Sequence, residues 1–397
     1  MTNINQCIQP YIDRLMKQRY LVAMKEGLLS SYPFLLVGTL FLLPFSFPCL
    51  NNFYNGFTRL YILSVGLFSV YSVFSMGEAL AKSYQISERQ AGLFSVFTFL
   101  LCLFSIKSLS LETFSFSLFI GIVSTIITVE ILRVSQNVQS LNLFPETVPS
   151  AVSQSFVSLI PLANLCLVFG FVIPMSHCID IFVKGVYYLL TIVDSLPMIL
   201  IVVFLITYFW AMGLHGDTLV SLILRPFWIC MLQYNGFLLL QGQPLLFTAP
   251  EPFLQWFVWI GGSGTTLGLA FSLRFFMKSK HNRGVGKTAW ISSLVNINEP
   301  IIFGTPIVSH PLLMIPFILA PMLCSIITWI AFSNGWVAPL RIMAVWTLPA
   351  PIGAFLSTGF DLHAILLNIG LILISIICYY PFVKIYDNRL LEEEADE

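Results

Sequence analysis

Apolar runs close to the ~20 residues that a helix needs to cross a lipid bilayer recur along this chain. They fall at 30–50, 60–80, 91–106, 111–133, 156–175, 180–212, 253–277, 312–333 and 362–383. Of 397 residues, 57% are hydrophobic and only 10% are charged, whereas a soluble domain carries about a quarter charged residues. With a mean hydropathy of +0.87, too little polar surface remains to cover a water-soluble globule. The chain therefore reads as an all-α polytopic membrane protein, with about ten transmembrane helices plus re-entrant hairpins. A transmembrane β-barrel would show short alternating segments instead of long apolar runs. The segment 91–106 is short for a span, and 180–212 is long and broken by Pro197.

Formal net charge is zero, so the placement of charge matters more than its total, and nothing points to a nucleic-acid partner. Arg14, Lys17, Arg19 and Lys25 precede the first span without an apolar core among the first 27 residues. A cleaved signal peptide is not expected there, and a cytoplasmic N-terminus is. Five basic residues from Arg274 to Lys287 mark another cytoplasmic loop. Lys384 and Arg389 near the last span predict a cytoplasmic C-terminus, followed by a solvated acidic tail. The eight cysteines show no metal or redox spacing and read as small hydrophobes. Neither a metal nor a cofactor is expected.

Between about 213 and 311, and again from 338 to 361, Gly and Pro interrupt the apolar pattern in "GLHG", "RPF" (with Pro226), "QGQPLL", "EPF", "GGSG", "NEP", "GTP" and "LPAPIG". At this density they oppose straight helices. Irregular backbone at membrane depth survives only where protein covers it or where it lines a wet cavity. Half-helices and re-entrant hairpins that hold a substrate are the expectation. Residues 1–175 look like ordinary spans suited to packing or dimerisation. The stretch containing Pro174 and Pro197 reads as a hinge region.

An ionisable side chain within a membrane segment marks a pathway or site by default. The second half supplies His215, Asp217, Arg225, Glu251, Glu299, Arg341 and Asp361. Glu299 stands out because Pro300 follows it and frees nearby carbonyls, and a carboxylate accepts several hydroxyl hydrogen bonds. The competing reading is a Glu favoured by the dipole at a half-helix N-terminus. His215 lies in "GLHG", where glycines allow close approach and imidazole both donates and accepts. The alternative is a histidine bonded to a neighbouring helix. "WIGGSG" (259–264) lacks the Lys-Ser/Thr and the strand of a nucleotide loop. It reads as a hairpin-tip turn whose N–H groups face a hydroxyl, or as small residues at a helix contact. Trp346 has a face to stack on a sugar ring, and equally the character of an interfacial tryptophan. His177, His281 and His363 read as solvated or interfacial.

Together "VPSAVSQSFVSLIP" (148–161), "GLHG" (213–216), "EPFLQWFVWIGGSGTTLGL" (251–269), "NINEPIIFGTPIV" (296–308) and "WTLPAPIGAFLSTG" (346–359) resemble the enzyme IIC membrane subunits of the sugar phosphotransferase system, in the lactose/cellobiose/chitobiose branch. "LAKSY" (80–84) is a weaker match. The resemblance implies a homodimeric, multi-pass protein of the bacterial inner membrane, embedded in lipid. Residues 1–175 would form the scaffold and dimerisation domain, 176–212 a linker helix and kinked span, and 213–384 a transport domain with re-entrant hairpins. Residues 385–397 would form the acidic cytoplasmic tail. It implies a sugar substrate, a β-linked disaccharide, carried by alternating access. It also implies a separate cytoplasmic enzyme IIB whose cysteine donates the phosphoryl group.

By resemblance His215 and Glu299 bind the sugar beside the hydroxyl to be phosphorylated, with Glu299 receiving its proton. Asn298 and the turn at Gly262 and Ser263 would add hydrogen bonds, and Trp346 would stack. The chain departs from the family pattern at Ser309-His310, where Asn-Pro is usual, and at Ala354, where Gly is frequent. Two rivals stand beside this reading. One is an ion-coupled secondary transporter using Glu299 and Asp217. The other is a non-transporting relative acting as sensor or scaffold.

Overall fold

The computed structural model describes residues 9–12, 14–105, 115–139, 159–173, 178–308 and 310–396, with side chains left out at 136–139. Most of the 148–161 motif, together with Pro174, His177 and Ser309, lies outside the described residues. Every regular element among the described residues is helical, and none is a strand. The main helices are α1 (Arg19–Leu40), α2 (Tyr54–Ser83), α3 (Glu88–Phe104), α4 (Ser117–Gln139), α5 (Leu159–Leu167), α6 (Cys178–Val193) and α7 (Leu196–Ala211). They continue as α8 (Gly216–Leu240), α9 (Leu267–Phe275), α10 (Lys280–Leu294), α11 (Glu299–Gly304), α12 (Pro311–Ser333), α13 (Ala350–Ser357) and α14 (Leu362–Asp396).

Six stretches among the described residues are long and apolar enough to cross a membrane: Arg19–Ser46, Pro48–Ser83, Ser117–Ser135, Gly216–Leu240, Pro311–Ser333 and Leu362–Asp396. Taking α6 and α7 as one broken span makes seven. The break falls at Asp194–Ser195, just ahead of Pro197, which occupies the first turn of α7. There its missing N–H has no intrahelical role to lose.

Two expectations from the sequence are corrected. The run 253–277 is not one span. It divides into a short helix Glu251–Phe253, a π-helical turn Leu254–Val258, a glycine-rich turn and α9. Conversely α8 runs 25 residues straight through Pro226. That proline leaves the Leu222 carbonyl without its i+4 donor, yet every residue from Trp228 to Leu238 is buried. Tertiary packing outweighs the lost bond, as it does for most helices.

Contacts divide the chain into two compact units. One comprises 11–38 and 59–190. Its core joins Val73, Phe99, Cys102, Leu103, Ile120, Leu165 and Phe169. Small residues let its helices approach: a Cβ on Gly121 would collide with Val73 Cγ2. Hydroxyl pairs such as Ser69–Ser117 (3.0 Å) and Thr98–Thr128 (2.7 Å) satisfy each other across helices, as apolar surroundings require. Glu130 accepts from Tyr20 (2.7 Å) and Tyr84 (2.6 Å) and pairs with Arg133 (2.9 Å).

The other unit comprises 1–10, 39–58 and 191–397. Its organising element is α14, on which α9, α12 and α13 pack. The acidic end is not a free tail. It continues α14 to Asp396, with Glu392 and Glu393 exposed but Asp387 buried. Asp387 accepts from the N–H of Lys278 (2.8 Å) and Ser279 (3.1 Å), from Ser279 Oγ (2.6 Å) and from Asn282 Nδ2 (2.9 Å). One carboxylate thus anchors the start of α10.

Removing that carboxylate strands several buried donors, each costing about 1–3 kcal/mol. Asp387→Ala is expected to lower the thermal midpoint in detergent by at least about 5 °C, with Asp387→Asn intermediate. Fluorescence-detected size-exclusion chromatography after heating measures this.

Candidate functional site

The interrupted region brings together three turns of the second unit. The first is 259–266. Gly261, Gly262 and Gly264 all hold positive φ there (+79°, +105° and +91°), a conformation glycine adopts freely. The second is the link between α10 and α11, and the third is the segment around Trp346. Asn298 joins the first two. Its side chain is buried, and Nδ2 donates to the Ser263 carbonyl at 2.7 Å. The fit is tight, since a Cβ on Gly262 would lie 2.5 Å from Asn298 Cγ.

Glu299 opens α11, followed by Pro300 in the first turn. The proline suits a helix start because its absent N–H would be unpaired there anyway, and an anion is favoured by the helix dipole. The Glu299 side chain is exposed, and no hydrogen bond or ion pair joins it to another described residue. It therefore stands as an uncommitted acceptor at the head of a helix whose preceding residue is locked in place.

His215 caps α8. Thr218 donates to Nδ1 from its backbone N–H (3.3 Å) and lies at 2.8 Å through its hydroxyl. A backbone N–H can only donate, so Nδ1 accepts and the proton of the neutral ring sits on Nε2. The Trp210 ring packs on the imidazole with centroids 4.4 Å apart. His215 is exposed, so Nε2–H is available as a donor. The turn that carries it approaches the far end of the α11 segment: a Cβ on Gly213 would lie 3.3 Å from Val308. No hydrogen bond joins His215 to Glu299 among the described residues.

Four of the turn's N–H groups are already committed inside the protein: Trp259 to the Leu254 carbonyl (2.7 Å), Gly261 to Asn296 Oδ1 (3.0 Å), Gly262 to the Trp259 carbonyl (2.9 Å) and Thr265 to the Gly262 carbonyl (3.1 Å). Trp346 is half exposed. Its carbonyl, not its ring, is held, by Asn296 Nδ2 at 2.9 Å.

The other ionisable residues are largely spent on structure. Arg225 binds Glu251 Oε1 through Nε (3.1 Å) and Nη2 (3.0 Å). Arg341 donates to Ser46 Oγ (2.8 Å) and the Gly359 carbonyl (3.4 Å). Asp361 accepts from the N–H of Ala338 (2.6 Å) and His363 (2.9 Å) and from the His363 ring (2.8 Å). Burial pushes the Asp361 carboxyl up, but those donors hold it, on balance, below the usual carboxylate range. Asp217 lies in the first turn of α8, partly buried. His281 and His363 are exposed. Ala354 is fully buried in α13. Sequence reasoning assigned no role to Trp210 or Asn296. An asparagine directly after a helical run, three residues before Glu299, was the available signal for the second.

Residues 25–321 match the family model described as "Phosphotransferase system, EIIC". The oligo-beta-mannoside-specific EIIC component of Bacillus subtilis (strain 168) is 29% identical, over 99% of this chain and 96% of that protein. The cellobiose-specific EIIC component of Geobacillus stearothermophilus is 31% identical, over 98% and 95%. Among solved structures, the transporter ChbC, the IIC component from the N,N'-diacetylchitobiose-specific phosphotransferase system, superimposes with a TM-score of 0.87 at 27% identity. That match covers 99% of both chains.

The Gly262–Asn298 contact leaves no room for a methyl group. Gly262→Ala is expected to destabilise the protein by about 1–3 kcal/mol, and Asn298→Gly in the same chain should recover part of the loss. Thermal unfolding of the two single variants and the double variant reads this.

Proposed function

Because this chain belongs to the phosphotransferase system EIIC family, we propose that it translocates a β-linked disaccharide, of the cellobiose, chitobiose or lactose kind, and presents it for phosphorylation. The family is a multi-pass membrane one that cooperates with an EIIB component in moving phosphate onto sugar. Relatives named for cellobiose, oligo-beta-mannoside and N,N'-diacetylchitobiose support the substrate class.

Glu299 carries this reading: an exposed, unpaired carboxylate on a helix whose preceding residue is bonded into the glycine-rich turn. In the proposed complex one sugar hydroxyl lies between Glu299 and His215. His215 Nε2–H donates to the hydroxyl oxygen, and Glu299 accepts its proton. As the sulfur–phosphorus bond on the enzyme IIB cysteine breaks and the oxygen–phosphorus bond forms, that proton passes to Glu299. Asn298, Gly262 and Ser263 shape the floor beside the sugar. Trp346 presents its indole face to the ring. Once Glu299 has passed its proton on to water, its carboxylate repels the phosphate of the product and favours release.

On this reading residues 1–175 form the scaffold through which two copies dimerise, and 176–212 form the linker helix and kinked span. Residues 213–384 form the moving transport domain, and 385–397 form the acidic cytoplasmic end. About ten transmembrane helices plus re-entrant hairpins complete the protein in a lipid-embedded, bacterial inner-membrane setting, with both termini cytoplasmic. No cofactor or metal enters the reaction.

Replacing a charged hydrogen-bond partner costs about 1.5–3 kcal/mol. Glu299→Gln is therefore expected to weaken cellobiose binding by roughly 10- to 100-fold while the protein still inserts, and His215→Ala should weaken it similarly. Ligand-induced thermal stabilisation across a disaccharide panel reads both. Normal binding by both variants would refute the site.

Uptake into vesicles should require phosphorylated enzyme IIB and should survive collapse of the proton gradient. Dependence on that gradient would instead favour an ion-coupled transporter.

A further inference from the structure

α10 ends in a Schellman arrangement. The Ile297 N–H bonds to the Ser292 carbonyl at 2.9 Å and the Asn296 N–H to the Ser293 carbonyl at 3.1 Å. Asn296 sits in the left-handed region at φ +63°, where glycine and asparagine are the residues accepted with least strain. Glycine would serve the backbone equally well, so the choice of asparagine must answer to its side chain.

That side chain is fully used. Oδ1 accepts the Gly261 N–H at 3.0 Å, and Nδ2 donates to the carbonyls of Trp346 and Leu348, both at 2.9 Å. A primary amide offers two N–H groups, and both are taken. Asn296 therefore has no donor left for a sugar. Its three bonds instead reach the turn that holds Gly262 and Ser263 and the segment that holds Trp346, from a point three residues ahead of Glu299. The Asn298–Ser263 bond reinforces only one of these two joints.

We propose that Asn296 is a positioning residue: it holds the three turns in register so that Glu299, the glycine-rich turn and Trp346 face one ligand. This rests on the functional reading above as far as the ligand is a disaccharide. The bridge itself does not.

Two variants test it. Asn296→Gly keeps the helix termination and deletes the bridge. Asn296→Asp keeps an acceptor for Gly261 and loses both donors. Hydrogen exchange read by mass spectrometry on ligand-free protein should rise in both 259–266 and 345–349 for Asn296→Gly, with α12 and α14 unchanged. For Asn296→Asp it should rise in 345–349 and stay near wild type in 259–266. Cellobiose affinity should fall about tenfold or more in Asn296→Gly, and Trp346→Ala should then cost less than it does in the wild-type background, because coupled residues are non-additive.

A purely structural role would leave those two effects additive. Additivity, or unchanged exchange in both segments, would overturn the proposal. Should Asn296→Gly fail to fold, the Asn296→Asp exchange pattern decides. Should wild type bind no disaccharide in the panel, the functional reading fails while the exchange experiment still judges the bridge.

Discussion

Backbone groups in an apolar surrounding must find partners within the protein, and interrupting a helix multiplies the groups in need. In the second unit the partners come from side chains on long helices and from the break between α6 and α7. Asn235 of α8 donates to the carbonyls of Phe247 (2.7 Å) and Leu340 (3.1 Å) and accepts from the Phe247 N–H (2.9 Å). Asp194 accepts from Thr248 (3.0 Å) and Ala249 (2.6 Å). From α14, Asn368 donates to the Trp256 carbonyl and Tyr379 to the Gly264 carbonyl, both at 2.6 Å. Within the turn Thr265 and Thr266 close the carbonyls of Val258 and Gly261, both at 2.7 Å. Long helices thus act as both walls and hydrogen-bond donors, and the glycine-rich turn is fixed from outside as much as by its own conformation.

This support divides the polar residues into two groups. Asn235, Asn296, Asn368 and Asp387 are bound on several sides, or buried against one fixed carbonyl, and cannot turn to a ligand without leaving a backbone group exposed. Glu299 and the Nε2 side of His215 are uncommitted. The result is one acceptor and one donor, the complement of a hydroxyl group, set on turns that other residues keep still. On the proposed reading, such preorganisation serves proton transfer from the sugar hydroxyl to Glu299, because positions need not be sought during the reaction.

The sequence carried the class of fold through run length and low charge, and it carried the interrupted region through its glycines and prolines. It misled where one residue type was given too much weight. Pro226 suggested a break in α8, but the packing around Trp228 to Leu238 holds the helix intact. The acidic residues after Lys384 suggested a solvated tail, whereas Asp387 is buried by four donors that lie more than a hundred residues earlier in the chain. Those donors, like the partners of Asn296, are distant in sequence, and no periodicity announces them. Glu299 and His215 were visible because a charge among apolar neighbours is conspicuous. Trp210 was not, because a tryptophan in a greasy helix looks like any other.

Trp346 is tethered by its carbonyl, and the indole takes no part in that tether. Every residue type owns the same carbonyl. On the proposed reading, in which the indole faces the sugar, a change of side chain at 346 alters what the pocket shows its guest without loosening the joint beneath. Sugar preference could then diversify here by single replacements, since the tether uses none of the side chain.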